Sequence, residues 1–369
     1  MIPVRGALAV ALTLAAVTAA PGRAEERVRI AVATGVDRAV VEGAALAVTP
    51  LHEGAAPVQV RGGRVEIRLD GDTLRVDGAP VDAPGVLITA AQGLRAGGFP
   101  LDGEVEVRRA ADGLAVVNAL PLEPYVAAVT GAEMPPRFPP EALKAQAVAA
   151  RTFAVFKKLE ALGEGRPWHL GASVLGQVYR GARVDPRARS AADATAGEVL
   201  TYDHAVIEAY FHSTCGGATE RGADALGRDL PYLPSVRCDR CRASPRSTWS
   251  VRVPAAELGR VAGLGRDASS VRVVARTASG RAARVEVAGG GRRATLSAVD
   301  LRQRLGFDRL PSLWFDAALT GGEARFDGRG SGHGAGLCQW GAAGAARDGQ
   351  GYREILARYY PGTELVRMY

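Results

Sequence analysis

One carboxylate in this chain is set apart by its neighbours. Glu133 closes an apolar run, VAAVTGA, and Met134-Pro135-Pro136 follows it. Apolar surroundings desolvate a carboxyl, raise its pKa and let it keep a proton for a leaving group. An isolated glutamate is more often a solvated surface charge, so spacing alone does not decide the matter. Beyond the proline-rich turn, an alanine-rich stretch carries Lys144, Gln146 and Arg151. Lys144 and Arg151 are seven residues apart and would point the same way on a helix. An ordinary solvated helix face explains them equally well.

The second cluster is sulfur. There are four cysteines: Cys215 in FHSTCGG close to His212, Cys238 and Cys241 in a Cys-x-x-Cys knuckle, and Cys338 near His333. Four thiolates from three distant segments could close a tetrahedral all-sulfur zinc site, with His212 or His333 as a substitute ligand. The competing reading is disulfides, with three possible connectivities. Among these a Cys238–Cys241 bridge would be tight and reducible.

These groups need elements to hold them. From Val28 to about Gly98 short alternating runs such as RVEIRLD and GVLITA recur at roughly ten-residue spacing, a β-rich, hairpin-like pattern. GFPLDGEVEVRRAADGLAVVNAL reads as a further strand pair turning at Ala111-Asp112-Gly113. The alanine-rich helix starts after Pro139-Pro140, where proline suits the first turn and Glu141 the positive helix end. Leu143, Ala147, Ala150 and Ala154 fall on one face, which should pack inward. Residues 184 to 200 read as another helix, and AVIEAYFHST as a strand running into a loop. Residues 248–316 read as a mixed lobe without site-like clusters. YREILARYYPGTEL reads as a short helix stopped by Pro361-Gly362.

The glycine ladder GRGSGHGAG, from Gly328 to Gly336, formally fits a dinucleotide fingerprint at Gly330, Gly332 and Ala335. Too few residues follow for such a domain. Alternating glycines instead allow close backbone approach, either to packed protein or to a sugar chain.

Several of these blocks resemble the stage II sporulation protein D family, which includes the amidase enhancers, exported proteins acting on bacterial cell-wall glycan. The match runs through Tyr125, Glu133 to Pro135 and Glu141 to Thr152, then the glycine ladder, Gln339, Trp340 and the Tyr352–Thr363 segment. It covers roughly residues 99 to 369. The resemblance implies that Glu133 is the catalytic acid, with Lys144 and Arg151 needed nearby. It also implies a metal bound by cysteine and histidine near that acid, here a structural zinc on Cys215, Cys238, Cys241 and Cys338. Many relatives have serine and tyrosine where this chain has Cys338 and Trp340. His212 keeps the family's His-Ser-Thr pattern and could stand beside the acid. Aromatic faces stack on sugars, which makes Trp340 and Tyr179 of GQVYRG candidate glycan contacts, alongside Tyr125, Gln146, Gln177, His333 and Gln339.

Hydrolysis of a glycoside usually takes two carboxyls. Glu141, Glu198, Glu208 and Glu220 are available, but none sits in a motif that demands it. A lytic transglycosylase needs one acid only. The C6 hydroxyl of N-acetylmuramic acid attacks its own anomeric carbon, leaving a 1,6-anhydro sugar. The resemblance points to this activity on peptide-stripped glycan strands. Two alternatives stand beside it: a non-enzymatic wall-binding module that enhances a separate amidase, and a hydrolase with a hidden second carboxylate.

Composition sets the outer bounds. The 369 residues are 47% apolar, enough for a sizeable core, and the formal net charge is +7. That excess is nearly all arginine. No basic run interleaved with aromatics accompanies it, so a nucleic-acid partner is not expected. Arg5, the apolar stretch Gly6 to Ala20 and Gly22-Arg23-Ala24 read as a secretory signal peptide of residues 1–24. The mature protein is therefore expected in the periplasm, cell wall or exterior, without an integral membrane segment. The expected fold is α+β. It comprises a β-rich region over 25–98, a mixed catalytic core over 99–247 with the long helix, a smaller mixed lobe over 248–316, and a segment over 317–369 that completes the core.

Overall fold

A computed structural model of the chain describes residues 25–172 and 177–369. The expected signal segment lies outside them. No described helix is long and apolar enough to cross a membrane. Helices and several sheets coexist, as expected of an α+β protein. The chain forms two compact units, one built from residues 25–137, 150–208 and 364–369, the other from 138–149 and 209–363.

In the first unit the alternating runs become strands, since alternation places every second side chain on one face. One six-stranded sheet has the order Leu170–Gly171, Arg27–Val36, Gly113–Pro121, Glu104–Ala110, Gly85–Thr89, Ala47–Pro50. A second has the order Ala79–Val81, Thr73–Val76, Arg64–Asp70, Arg38–Ala44, Gln92–Ala96, Phe99–Pro100. The expected strand pair is present, with Ala110 opposite Gly113. Its second strand, Gly113–Pro121, is buried on both faces because strands of the other sheet and helix α1 (Leu122–Glu133) pack against it. Helix α2 (Pro140–Gly163) begins at the expected prolines.

Two expectations change. Helix α2 is not one-sided: Ala142, Leu143 and every residue from Ala145 to Val155 are buried. Alanine side chains are small enough for neighbours to close in from all sides, so the expected solvent stripe disappears. Arg151 therefore sits at 0% exposure, although it was expected to share Lys144's face. The helix expected over 184–200 is also shorter. Helix α3 spans Pro186–Ala194, with the Asp185 side chain accepting the Arg187 N–H at 2.8 Å. Gly197 then takes a φ of +74°, and Glu198–Tyr202 becomes a strand paired with Glu364–Arg367.

Arg151 ties these pieces together. Its Nε and Nη2 donate to Glu123 on α1 at 2.8 and 2.5 Å. The remaining N–H groups reach Thr195 Oγ1 at 3.4 Å, the Glu198 carbonyl at 3.2 Å and the Ala192 carbonyl at 3.1 Å. Burial pushes the Glu123 pKa up, but Arg151's hydrogen bonds and charge, with the Tyr369 hydroxyl and the Gly197 N–H, more than offset it and hold it below the ordinary value. A carboxylate with a depressed folded-state pKa contributes stability above its unfolded pKa of about 4.3, and that stability is lost as pH falls through the folded value. Urea midpoints should therefore fall in acid for the wild type and vary less for Glu123→Ala. At neutral pH Glu123→Ala should cost about 3–5 kcal/mol, because it strands a buried guanidinium.

The second unit holds a two-stranded parallel pair, Phe211–His212 with Leu337–Cys338. It also holds two antiparallel sheets, one of Trp249–Pro254, Glu323–Gly328 and Phe315–Thr320, the other of Ser270–Arg276, Ala282–Gly289 and Arg292–Ser297. Its helices are α4 (Gly222–Leu226), α5 (Ala255–Val261), α6 (Ala298–Leu305), α7 (Gln339–Arg347) and α8 (Tyr352–Tyr359). Val253, Leu258, Val285, Leu301 and Phe326 lie in one continuous core, so the lobe draws on strands beyond residue 316.

Candidate active site and metal centre

Glu133 is the last residue of α1, where the Met134 N–H closes the helix on the Thr130 carbonyl at 3.0 Å. Its side chain is half-buried. One carboxylate oxygen, Oε1, accepts the backbone N–H of Val178 at 2.7 Å. That N–H is held from both sides. Gln177 accepts the Tyr125 hydroxyl at 2.7 Å and donates to the Ala150 carbonyl at 3.1 Å. Tyr179 donates to Asn118 Oδ1 at 2.6 Å, and Asn118 in turn donates to the carbonyls of Asp102 and Glu104 at 2.8 and 2.9 Å. The two tyrosine rings lie 5.5 Å apart. Burial, with Tyr179 and the Glu133 charge, pushes the Tyr125 pKa well up, so its hydroxyl stays protonated as a donor.

This placement changes the reading of three expected glycan contacts. Tyr125 and Gln177 are at 0% exposure and Tyr179 at 6%, so none offers an open face to a sugar. They hold the segment that orients the acid.

Lys144 belongs to the second unit. Its ammonium is 2.7 Å from Glu141 Oε1 and 5.8 Å from the centre of the Tyr352 ring. Burial opposes the Glu141 charge, but Lys144 and the Tyr352 N–H more than offset it and keep its pKa low. Gln146 and Gln339 are buried and meet each other at 3.4 Å. Trp340 is half-buried, edge-on to Phe138 at 4.8 Å.

The four cysteines converge. Their sulfurs all lie within 4.8 Å of one another, every one buried and free of disulfides. The parallel pairing of Phe211–His212 with Leu337–Cys338 sets Cys215 beside Cys338, and the Cys238 N–H bonds the Gly217 carbonyl at 2.9 Å. Cys215 and Cys241 sulfurs are 3.6 Å apart. That is too long for a disulfide and close to the roughly 3.8 Å edge of a tetrahedron with about 2.3 Å zinc–sulfur bonds. Cys338 Sγ accepts N–H groups from Cys215 at 3.2 Å and Gly341 at 3.3 Å. The Tyr359 hydroxyl is 3.1 Å from Cys238 Sγ. Hydrogen bonds from Cys215 push Cys241 down and bring Cys238 to about 7. The reciprocal contacts push Cys215 up, and burial does the same to Cys338. The donor set is chemically complete for zinc without a histidine.

His212 and His333 lie outside this set, their rings 5.6 Å apart. His212 Nδ1 is 3.0 Å from the Ala335 carbonyl, which assigns the proton to Nδ1. Nε2 is then a buried lone pair without a hydrogen-bond partner among the described residues. Burial lowers the pKa of both imidazoles, His333 to about 4, so both are neutral at pH 7.

The glycine ladder meets protein, not open space. A Cβ on Gly336 would lie 1.9 Å from the Tyr210 carbonyl oxygen, one on Gly332 2.8 Å from His212 Cβ, and one on Gly334 2.9 Å from the Arg281 guanidinium. Gly341, just beyond the ladder, is also closely packed, with Tyr359 Oη at 2.1 Å and Cys238 Sγ at 2.6 Å from the added carbon. Gly341→Ala should displace both groups, cost about 3 kcal/mol or more, and lower the urea midpoint accordingly.

Arg281 is a residue that local sequence did not mark, in a lobe expected to lack site-like groups. It is buried, and its Nη2 donates to the carbonyls of Cys215 at 2.8 Å and Ala218 at 2.9 Å. It thus holds the Cys215 loop from the lobe side. Nothing in SGRAARVEV announces this, because the partners are backbone carbonyls some sixty positions away.

Residues 110–202 match the family model described as Stage II sporulation protein. That span contains Glu133, Lys144, Arg151, Gln177 and Tyr179, and none of the cysteines. The chain is 34% identical over 265 residues to the stage II sporulation protein D of Bacillus subtilis, covering 68% of this chain and 75% of that one. It is 33% identical over 298 residues to an uncharacterised protein of Brachyspira hyodysenteriae, covering 79% of each. The amidase enhancer of Bacillus subtilis is 26% identical over 286 residues, 63% of this chain and 39% of that protein.

Proposed function

This chain belongs to the stage II sporulation protein D family, and on that premise we propose that it is an exported enzyme cleaving peptide-stripped peptidoglycan glycan strands by lytic transglycosylation. The observation that carries the reading is the half-buried Glu133, its carboxylate oriented by the Val178 N–H at 2.7 Å. In this mechanism the protonated Glu133 donates to the glycosidic oxygen as the bond to C1 breaks. The resulting carboxylate takes the proton of the C6 hydroxyl, whose oxygen bonds to C1. The proton count closes, no water is consumed, and the product ends in a 1,6-anhydro sugar. One acid suffices, in keeping with the lack of a motif-borne second carboxylate.

The family pattern gives Lys144 a supporting role, and within its own unit its ammonium pairs with Glu141 at 2.7 Å. Arg151, with all five donors engaged in protein contacts, is a positioning residue that works through Glu123 on the helix ending in Glu133. Cys215, Cys238, Cys241 and Cys338 would hold one zinc ion, which when bound supplies a structural cross-link between three segments. The test is digestion of purified, peptide-free glycan by the wild type and by Glu133→Gln, with the ends of the products identified. The likeness to a protein named amidase enhancer supports a second reading, a wall-binding module that stimulates a separate amidase.

A further inference from the structure

The proposed reaction makes no use of a groove of about 790 Å³ at one end of the sheet formed by Trp249–Pro254, Glu323–Gly328 and Phe315–Thr320. Register explains its lining. Trp249 and Phe315 both pair with Gly328, and the Trp249 ring lies where a Gly328 side chain would be, so this row makes an apolar floor. The next row pairs Ser250 and Asp316 with Asp327, and points outward. Two carboxylates opposite one another repel. Each is held by its own arginine, Asp316 by Arg276 and Asp327 by Arg325 at 2.9 Å.

Beside this row stand Trp314 and Arg329. The Arg329 guanidinium carbon is 3.7 Å from the centre of the Trp314 ring, and that of Arg281 is 4.8 Å away. With two guanidinium groups stacked against it, the ring contributes its edge. Its indole N–H beside Gly280 makes no hydrogen bond to a described residue. Arg329 is exposed and has no carboxylate partner among the described residues. The groove therefore offers one unneutralised cation and an N–H donor next to a hydroxyl and two oriented carboxylates.

That set selects by charge. A polyphosphate or nucleic acid would face Asp316 and Asp327. A neutral sugar would leave Arg329 idle. A hydroxyl-rich ring with a single carboxylate satisfies all of it, its hydroxyls donating to the aspartates and its carboxylate meeting the guanidinium and the indole N–H. We propose that this groove binds a hexosamine bearing a carboxylate, the muramyl lactyl group left bare once stem peptides are gone. It gives the lobe its own grip on a peptide-free strand. This rests on the glycan reading above.

The test uses the full chain carrying Glu133→Gln, so that strands are bound and not cut. Peptide-free glycan strands are compared with the same strands after their carboxylates are converted to neutral methylamides. Methylamide strands should bind about 3- to 5-fold more weakly, the upper scale of one exposed charged contact. Adding Arg329→Gln should weaken the untreated strands by the same factor and leave methylamide strands unchanged. Trp314→Phe, which keeps a ring and removes the N–H, should give a smaller loss of about 2-fold in the same pattern. Equal binding of both strands, or an unchanged affinity in Arg329→Gln, overturns the proposal. So does methylamide sensitivity that survives Arg329→Gln, since the carboxylate is then read elsewhere. Cleavage by the Glu133-containing chain is scored separately: anhydro products without Arg329-dependent binding sink only the groove, and Arg329-dependent binding without products sinks only the chemistry.

Discussion

Glu133→Gln should reduce release of anhydro-ended fragments from peptide-free glycan by about 10²- to 10⁴-fold, the usual contribution of a positioned general acid. The amide keeps the shape of the side chain, and its oxygen can still accept the Val178 N–H, so the fold should survive and the thermal midpoint should barely move. What disappears is the proton. A variant that digests as fast as the wild type removes Glu133 from the mechanism. Reducing ends from the wild type would instead reveal a water-activating second carboxylate. Silence from both proteins on glycan that they nonetheless bind would favour the amidase-enhancing module.

Removing the metal should have the other large effect. The purified chain should carry one zinc ion with four thiols that resist alkylation, and chelation should expose all four together. Zinc at an all-cysteine site contributes on the order of 10 kcal/mol to folding. Its loss should therefore produce a large fall in the urea midpoint of the second unit, not a subtle one. Cys241→Ser should release most of the metal, because it replaces a soft thiolate with a hydroxyl that does not ionise at neutral pH. Acid should release it too, as thiolates compete with protons. Four oxidised cysteines and no bound metal would end this reading.

Much of the molecule could be seen in the order of residues. The hairpins of the first 120 residues follow from alternation, and the start of α2 from Pro139-Pro140. Both signals are local, so they survive without knowledge of the rest of the chain. Glu133 could be named because an acid between an apolar run and a Met-Pro-Pro turn is locally unusual and sits in a family pattern. The four cysteines could be proposed as one cluster because their number and the Cys-x-x-Cys spacing match a tetrahedral ion.

Other features were decided by partners distant in sequence. Whether Arg151 faced solvent or core depended on Glu123 and on the carbonyls of Ala192 and Glu198, which no spacing within α2 reveals. Tyr125, Gln177 and Tyr179 read as sugar contacts because aromatic and amide side chains serve both purposes, and only packing shows that they brace the Val178 N–H. The glycine ladder allowed a sugar or a protein neighbour, and the Tyr210–Cys215 segment with the Arg281 guanidinium took that space. Arg281 and the groove at Trp314 arose from strand register and a buried guanidinium. Sequence alone thus determined the kinds of groups available and the short-range elements that carry them. Tertiary structure alone decided which of those groups face protein and which face a ligand, because desolvation and hydrogen-bond partnership depend on chains that meet only after folding.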